Sequence, residues 1–323
     1  MARVRPVDPA AYDAYLQGEE NLDWKKESTE KAIIYFQQAI AKDPNLALAY
    51  VGLADAHIYE VDNGFEDPSE GYPKVEEATN KALAIDSRLG EAHRTLAAVK
   101  EHRWDWAGAE REYQLAIQFN PGSARAHHFY GTLLSPLGRQ NEAIAELRRA
   151  VELDPSGLFY RVVLADVYYT ARQYENAVKE YEKTIALDPN FSPAHQGLGT
   201  TLVQMGRRTE AIAEFERAQA TSPDAGAVDA WLAYAHASAG KKTEALDILQ
   251  RMKESSKSRF VPPIQFALVY TGLGEKEQAF RWLETAFAKR DTHLESLNVD
   301  PIWDPLRSDP RFQNLVRRVG LVR

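Results

Sequence analysis

Alanine recurs at a constant interval of 34 residues through most of the chain, and this period constrains the fold more than any other feature. The alanines of this column are Ala109, Ala143, Ala177, Ala211, Ala245 and Ala279. Large side chains recur at the same interval, at Tyr113, Leu147, Tyr181, Phe215, Leu249 and Leu283, and prolines at Pro121, Pro155, Pro189 and Pro223. Such a period is typical of repeat proteins, whose short units bury their apolar faces against one another.

Within one period the apolar positions have helical spacing. Ala143, Leu147 and Ala150 are four and three residues apart, so they share one face of an α-helix. A glycine ahead of this helix suits a left-handed turn at the end of the preceding helix. These turn glycines are Gly138, Gly206, Gly240 and Gly274. Each unit is therefore predicted to be two antiparallel helices closed by proline. Trp104 replaces the glycine in one unit, and we expect it to cover the neighbouring unit or to stand exposed.

These columns resemble the tetratricopeptide repeat (TPR), in strict phase over six units from Gly90 to Ala286. The resemblance implies an all-α, right-handed TPR superhelix, an α-solenoid of about eight helix pairs with a C-terminal cap. The solenoid is predicted over residues 1–290 and the cap over 291–323. The units are expected near 8–46, 47–89, 90–123, 124–157, 158–191, 192–225, 226–259 and 260–290. The second unit carries a long insert, Glu60 to Pro73, so that its second helix is expected to start at Lys74.

Bulk composition excludes several classes of protein. The 323 residues are 44% hydrophobic and 27% charged, which is enough apolar material for a folded core. The net charge of −8, without a basic tract, disfavours nucleic-acid binding by this chain itself. No stretch approaches the length of a membrane span, and the N-terminus lacks the apolar core of a signal peptide. The prediction is a soluble, cytoplasmic protein, or a periplasmic one if the chain belongs to a longer membrane-anchored protein.

No pattern of catalytic, cofactor-binding or metal-binding residues emerges. The glycines of residues 193–215 fall on repeat positions and lack the G-x-G-x-x-G spacing of a dinucleotide site. Histidine recurs at one position of the repeat, at His93, His127 and His195, with Arg161 interrupting the series. Residues one repeat apart lie on different stacked helices, so these side chains are not expected to meet at one metal ion. A partly buried packing role is expected for them instead. The chain is predicted not to be an enzyme and to hold neither cofactor nor metal.

The concave face of the predicted solenoid is the better candidate for a binding site. Mixed charges and tyrosines on the first helix of each unit are what a peptide-binding groove needs. The candidate partner-binding residues are Asp55, Tyr59, Arg94, Glu101, His102, Arg125, His128, Thr132, Asp166, Tyr169, Gln196 and Tyr234. Some TPR proteins clamp a terminal carboxylate, and here Arg94 and Arg125 fit that role while the asparagines are missing. The alternative is that all twelve are ordinary solvated residues.

The start "DPAAYDAYLQGEENL", the stretch "WDWAGAEREYQLAI" and the C-terminal "DPIWDPLRSDPRFQNLVRRVGL" extend the resemblance. They are similar to the C-terminal TPR region of bacterial multidomain signalling proteins, where repeats follow a winged-helix, nucleotide cyclase or Ser/Thr kinase domain. This implies a noncatalytic protein–protein interaction scaffold that binds a peptide or protein partner in its groove. The alternative is a ligand-sensing regulatory module whose output domain is not in this chain. Partner identity and oligomeric state stay open.

Overall fold

A computed structural model describes residues 7–23, 25–222 and 228–321, and over these ranges every regular element is a helix. The chain divides into two compact units, Met1–Phe129 (unit 1) and Tyr130–Arg323 (unit 2). The helices of unit 1 are α1 (Pro9–Asn21), α2 (Lys26–Lys42), α3 (Ala47–Asp62), α4 (Pro68–Ile85), α5 (Gly90–His102) and α6 (Trp106–Phe119). The division falls within α7 (Ala124–Leu134).

Unit 2 continues the alternation of helices. It contains α8 (Gln140–Leu153), α9 (Leu158–Thr170), α10 (Tyr174–Leu187), α11 (Ser192–Gln204), α12 (Arg208–Thr221), α13 (Asp229–Ser238), α14 (Lys242–Ser255), α15 (Pro263–Gly272) and α16 (Lys276–Ala288). Beyond them lie 3-10 helices at Thr292–Asn298 and Pro301–Trp303, then α17 (Asp304–Arg307) and α18 (Pro310–Arg318). No helix of the described ranges has both the length and the apolar character needed to cross a bilayer.

Each odd-numbered helix packs against the even-numbered helix that follows it, and the odd-numbered helices also pack against one another. In unit 1, α3 contacts α4 as its pair and α1 and α5 as its neighbours. In unit 2, α11 contacts α12 in the same way, with α9 and α13 on either side. The odd-numbered helices of a unit therefore form a layer, whose surface we call the odd-helix face. The predicted all-α solenoid of paired helices is confirmed.

The repeating alanines are buried where two helices of a pair meet. All six alanines of the column, from Ala109 to Ala279, have no exposed surface. Facing them, Gly131 lies so close to the second helix that an added Cβ would come 2.7 Å from Cγ of Leu147. Small residues on both helices let the backbones approach, and the large column fills the space between the alanines. Packing at this seam thus requires the small–large–small pattern of the sequence.

The turn between the two helices of a pair has left-handed backbone. Gly206 has φ of 76°, and Gly138, Gly240 and Gly274 are within a few degrees of it. Trp104 and Arg172 occupy the same phase with φ of 60°, a conformation that disfavours residues with a Cβ. Trp104 is half-buried, between the two outcomes expected for it.

The expected long insert of the second unit is mostly helical, so that prediction was wrong. α3 continues to Asp62 and α4 begins at Pro68, which leaves a short connection instead of a loop from Glu60 to Pro73. The side chain of Asp67 caps α4 by accepting from the backbone N–H of Ser69. Pro68 at the first helical position needs no hydrogen-bond donor, and Pro73 is accommodated inside the helix. Pro223 lies outside the described residues.

The C-terminal helix closes the last repeat of unit 2. α18 packs on α16, where Arg311 pairs with Glu277 at 2.9 Å and Arg318 pairs with Glu284 at 2.7 Å. The same two arginines lie over aromatic rings of α16, with the guanidinium of Arg318 3.9 Å from the ring of Phe287. Charge pairs and cation–π contacts therefore join the end of the chain to the final helix pair.

Candidate interaction surface

A buried cluster of one carboxylate and two arginines lies on the odd-helix face of unit 1. Asp55 of α3 accepts hydrogen bonds from Arg94 of α5 at 2.6 and 2.7 Å and from Arg125 of α7 at 2.9 Å. The side chains of Asp55 and Arg94 are each 4% exposed, whereas that of Arg125 is 35% exposed. Arg94 is therefore committed to Asp55, and Arg125 presents the cluster's positive charge to the surface.

Burial shifts the pKa values of two groups near this cluster. Desolvation, helped by the charges of Arg125 and Arg94, lowers the pKa of His128 to about 3, so its imidazole is neutral at physiological pH. Burial and then the charge of Asp55 raise the pKa of Glu19, whose carboxylate lies on α1. The ring of Phe129 lies 5.6 Å from the Arg94 guanidinium and adds a cation–π contact. The cluster therefore combines two cations with one firmly placed anion.

A second polar group of unit 1 lies at the C-terminal end of α5. Burial, with a contribution from Asp62, raises the pKa of Glu101 to about 8, although the Tyr113 hydroxyl donates to its carboxylate at 2.6 Å. The ring of His102 stacks on Tyr72 with centroids 3.8 Å apart. Tyr59 is half-buried on α3. The Glu101 hydrogen bond fastens α5 to α6, which gives this carboxyl a structural partner.

In unit 2 the corresponding face meets the C-terminal part of the chain itself. The hydroxyl of Tyr169 on α9 donates to Asp300 at 2.8 Å, across 131 residues of sequence. Arg172 forms two hydrogen bonds to Asp304, at 2.8 and 2.9 Å. Burial, the largest cause, raises the pKa of Asp300 to about 6 and that of Asp166 also to about 6, and the charge of Asp300 adds to the shift of Asp166.

The twelve residues expected on the binding face thus differ widely in exposure. Asp55, Arg94, His128, Tyr169 and Tyr234 are buried, and Thr132 is exposed. The half-buried members are Tyr59, Glu101, His102, Arg125, Asp166 and Gln196. The structure brings Asp55, Arg94 and Arg125 into direct contact within unit 1. Whether these side chains contact a partner remains a prediction.

Sequence reasoning missed Asp300 and Asp304, which lie in the segment expected only to cap the array. Asp300 accepts from the Tyr169 hydroxyl and from the backbone N–H of Ile302, and Ile302 and Trp303 are buried. The repeated Asp-Pro pairs of this segment signal tight turns. No spacing rule connects them to α9, because the contact lies outside the repeat period.

The recurring histidines fasten adjacent helices and carbonyl groups. His93 Nδ1 lies 2.7 Å from Oε2 of Glu112, and its Nε2 lies 3.1 Å from the carbonyl oxygen of Ser87. At the interrupting position, Arg161 lies 3.8 Å from Glu180 and reaches a carbonyl oxygen in the same way. A carboxylate 19 residues downstream was the missed signal. His93, His127 and His195 are buried and not partly buried as expected, and each forms hydrogen bonds that a purely packing role does not include.

One group of potential metal ligands occurs in the described part of the chain. Ligand atoms of His57, Glu60 and Glu66 lie within 4.8 Å of one another. His57 Nδ1 is 2.9 Å from Glu60, and Lys74 forms an ion pair with Glu66. The lysine already neutralises one carboxylate of the group, and we assign no metal to it.

Comparison with known proteins identifies the repeats. Two family models described as tetratricopeptide repeat match the chain, one at residues 124–156 and 160–191 and the other at residues 197–259. These ranges agree with the helix pairs α7–α8, α9–α10 and the stretch from α11 to α14.

Among curated proteins, the chain is similar to the transcriptional regulator HilA of Salmonella typhimurium and to HilA of Salmonella typhi. Identity is 24% over 143 residues, which is 44% of this chain and 26% of HilA. The chain therefore matches about a quarter of the length of this relative.

Solved structures share the fold at low sequence identity. Yeast Tom70 superposes with a TM-score of 0.57 at 16% identity, over 98% of this chain and 69% of Tom70. A tetratricopeptide repeat protein from Parabacteroides merdae gives a TM-score of 0.53 at 15% identity, over 76% of this chain and 93% of that one. PilF of Pseudomonas aeruginosa gives 0.51 at 19% identity, over 68% and 95%.

Proposed function

Because this chain is a tetratricopeptide-repeat protein, we propose that it is a noncatalytic scaffold whose odd-helix faces bind a peptide or protein partner. One observation carries the proposal: the pair of Asp55 and Arg94 holds the guanidinium of Arg125 at the face of unit 1, with 35% of the Arg125 side chain exposed. An arginine supported by buried neighbours loses little conformational entropy when it binds a ligand. The face is thus prepared to bind before a partner arrives.

The charge of this cluster favours a partner that presents a carboxylate. Two guanidinium groups, those of Arg94 and Arg125, contact a single carboxylate, that of Asp55, at this face. A guanidinium and a carboxylate form short, charge-assisted hydrogen bonds, so an acidic side chain or a chain terminus fits this chemistry. With a net charge of −8, a nucleic acid is not the proposed partner.

In this proposal the twelve candidate residues of the surface have two different roles. Partly exposed members, among them Tyr59, His102 and Gln196, would contact the partner directly. Buried members such as Asp55 and Arg94 would hold those side chains in place. This division accounts for the mixture of exposed and buried positions on one face.

The displaced carboxyl pKa values support scaffolding better than catalysis. Glu101 is hydrogen-bonded by Tyr113, and Asp166 accepts from the Tyr181 hydroxyl at 2.5 Å. Each of these bonds joins an odd-numbered helix to its even-numbered pair, which is a structural task.

The proposal can be tested with a random peptide library displayed with free carboxyl termini and selected on the full chain. We expect selected peptides to lose affinity by at least about tenfold on Arg125→Glu. Arg111→Glu is the matched control, since Arg111 is an exposed arginine on α6 of the same unit. Equal binding of the selected peptides to wild type and Arg125→Glu would show that unit 1 is not the partner site.

A second candidate function is a ligand-sensing regulatory module of a bacterial signalling protein. The observation in its favour is the match to the transcriptional regulator HilA. In that case a small molecule would depend on one helix pair only, whereas a peptide would depend on several. Thermal-shift screening of a metabolite library, followed by single substitutions at Arg125 and Gln196, separates the two, because those residues lie in different units.

A further inference from the structure

The segment that follows the last repeat lies on the odd-helix face of unit 2. Asp300 reaches Tyr169 on α9, and Asp304 reaches Arg172 just beyond it. Between these two contacts, Ile302 is 1% exposed and Trp303 is 3% exposed. A carboxylate, a proline, two apolar side chains and a second carboxylate are therefore seated where a partner segment is proposed to bind.

The segment is held by side chains and not by a regular ladder of backbone hydrogen bonds. It consists of a three-residue 3-10 helix, Pro301–Trp303, and the four-residue helix α17. Arg307 shapes it from within by donating to the carbonyl oxygens of Asn298 at 2.6 Å and of Asp300 at 2.9 Å. Short elements of this kind are among the parts of a fold that open most readily.

The buried carboxylate at its centre is bound through a neutral donor. Asp300 accepts from the Tyr169 hydroxyl and from the N–H of Ile302, while Arg307 donates to backbone carbonyls and to the carboxylate of Asp304. Burying a carboxylate without a direct ion pair costs free energy, because its hydration is lost. The attachment of this segment is thus weaker than its apolar burial alone implies.

We propose that the odd-helix face of unit 2 is a binding surface for an acidic, proline- and tryptophan-containing segment, that residues 300–304 occupy it within the chain, and that a partner segment of the same chemistry binds by displacing them. The inference rests on the proposed function, since both assign partner binding to odd-helix faces. It concerns different residues in a different unit, so the two can fail separately. The Tyr169 hydroxyl contributes by donating a hydrogen bond to the acceptor oxygen at the position of Asp300.

The test uses a fluorescent synthetic peptide with the sequence of residues 296–309 and the full-length chain. Trp303→Ala removes the buried anchor of the internal segment, and we expect it to bind the peptide at least about tenfold more tightly than wild type, because a competitor is removed. Adding Tyr169→Phe should abolish this gain. Tyr168→Phe is the matched control, since Tyr168 is an adjacent buried tyrosine whose hydroxyl accepts from Arg148 at 2.6 Å.

A second variant keeps the proposal testable if Trp303→Ala fails to fold. Asp304→Ala removes the exposed ion pairs of Asp304 with Arg172 and with Arg307 and leaves the buried Trp303 in place, so it should raise peptide affinity by a smaller factor. Equal binding of the peptide to wild type and both variants, or no binding to any, would overturn the proposal.

Discussion

His195 Nδ1 lies 2.6 Å from Oε2 of Glu214, and its Nε2 lies 2.9 Å from the carbonyl oxygen of Pro189. One imidazole therefore joins the loop that ends α10, the helix α11 and the helix α12. His93 has the same arrangement with Glu112 in unit 1. The bonds satisfy a buried carboxylate and a helix-end carbonyl group together.

We expect His195→Ala to lower the free energy of unfolding by about 1–3 kcal/mol, because it removes one partner of the buried Glu214 carboxylate and the hydrogen bond to the Pro189 carbonyl oxygen. Urea unfolding followed by circular dichroism measures the loss. His293→Ala serves as control, since the His293 side chain is 64% exposed. An unchanged midpoint for His195→Ala would mean that water replaces the imidazole without loss.

Gly206→Ala should destabilise unit 2 by about 1–2 kcal/mol through the backbone alone. Gly206 has φ of 76°, and an added Cβ would find no atom within 4 Å. Gly122→Ala is a suitable comparison, because its Cβ would make only an ordinary contact at 3.7 Å with Asn120. Thermal denaturation of the two variants distinguishes strain from packing, and equal melting temperatures would contradict the left-handed turn.

Arg94→Met should cost about 3–5 kcal/mol, because Asp55 would stay buried with a single remaining cation. Arg125→Met should cost less, since the Arg125 side chain is 35% exposed and solvent screens its pair with Asp55. Chemical denaturation of both variants gives the order. Equal losses would show that the two arginines share the charge of Asp55 evenly.

Ala177→Leu is expected to lower stability by about 1–3 kcal/mol, because Ala177 is fully buried between α9 and α10 and has no space for a larger side chain. The exposed Ala107 on α6 provides the comparison for the same substitution. A wild-type melting temperature for Ala177→Leu would disprove close packing at the repeat seam.

Asp300 makes stability depend on pH. Its pKa of about 6 lies above the ordinary value of an aspartate, so the folded chain keeps a proton that the unfolded chain has released between about pH 4 and 6. Stability therefore falls as the pH rises through this range. The titratable and charged groups that interact with Asp300 are Tyr169, Asp166, Tyr181, Tyr234, Asp304 and Arg307.

Asp300→Asn tests this dependence, since asparagine mimics the protonated carboxyl. We expect the variant to melt above wild type at pH 7.5 and close to it at pH 4.5. Differential scanning calorimetry at the two pH values measures both differences. A variant less stable than wild type at pH 7.5 would show that the ionised carboxylate is favourable where it lies.

The fold could be predicted from the sequence because the same pattern of small and large residues recurs in each repeat. The spacing of Ala143 and Leu147 predicts the buried contact between the two helices of a pair, and Gly206 predicts the turn between them, since both depend only on local spacing. The structure starts α4 at Pro68 and not at the expected Lys74, because the cap at Asp67 sets the boundary and Pro73 is accommodated inside the helix.

The candidate surface could be predicted only in part. The phase of a helix shows that Arg94 and Arg125 share a face, but a shared face does not reveal that Asp55 binds both. The contact of Tyr169 with Asp300 depends on how the end of the chain crosses unit 2, and no period records that path. Tertiary contacts outside the repeat are thus the part that required a structure.

The contacts of α18 on α16 also bear on how this helix responds to salt. Arg311 and Arg318 each combine an ion pair to a glutamate of α16 with a guanidinium lying over an aromatic ring of α16. Salt screens the exposed charge pairs but does not remove the ring contacts, so high ionic strength should loosen α18 without detaching it.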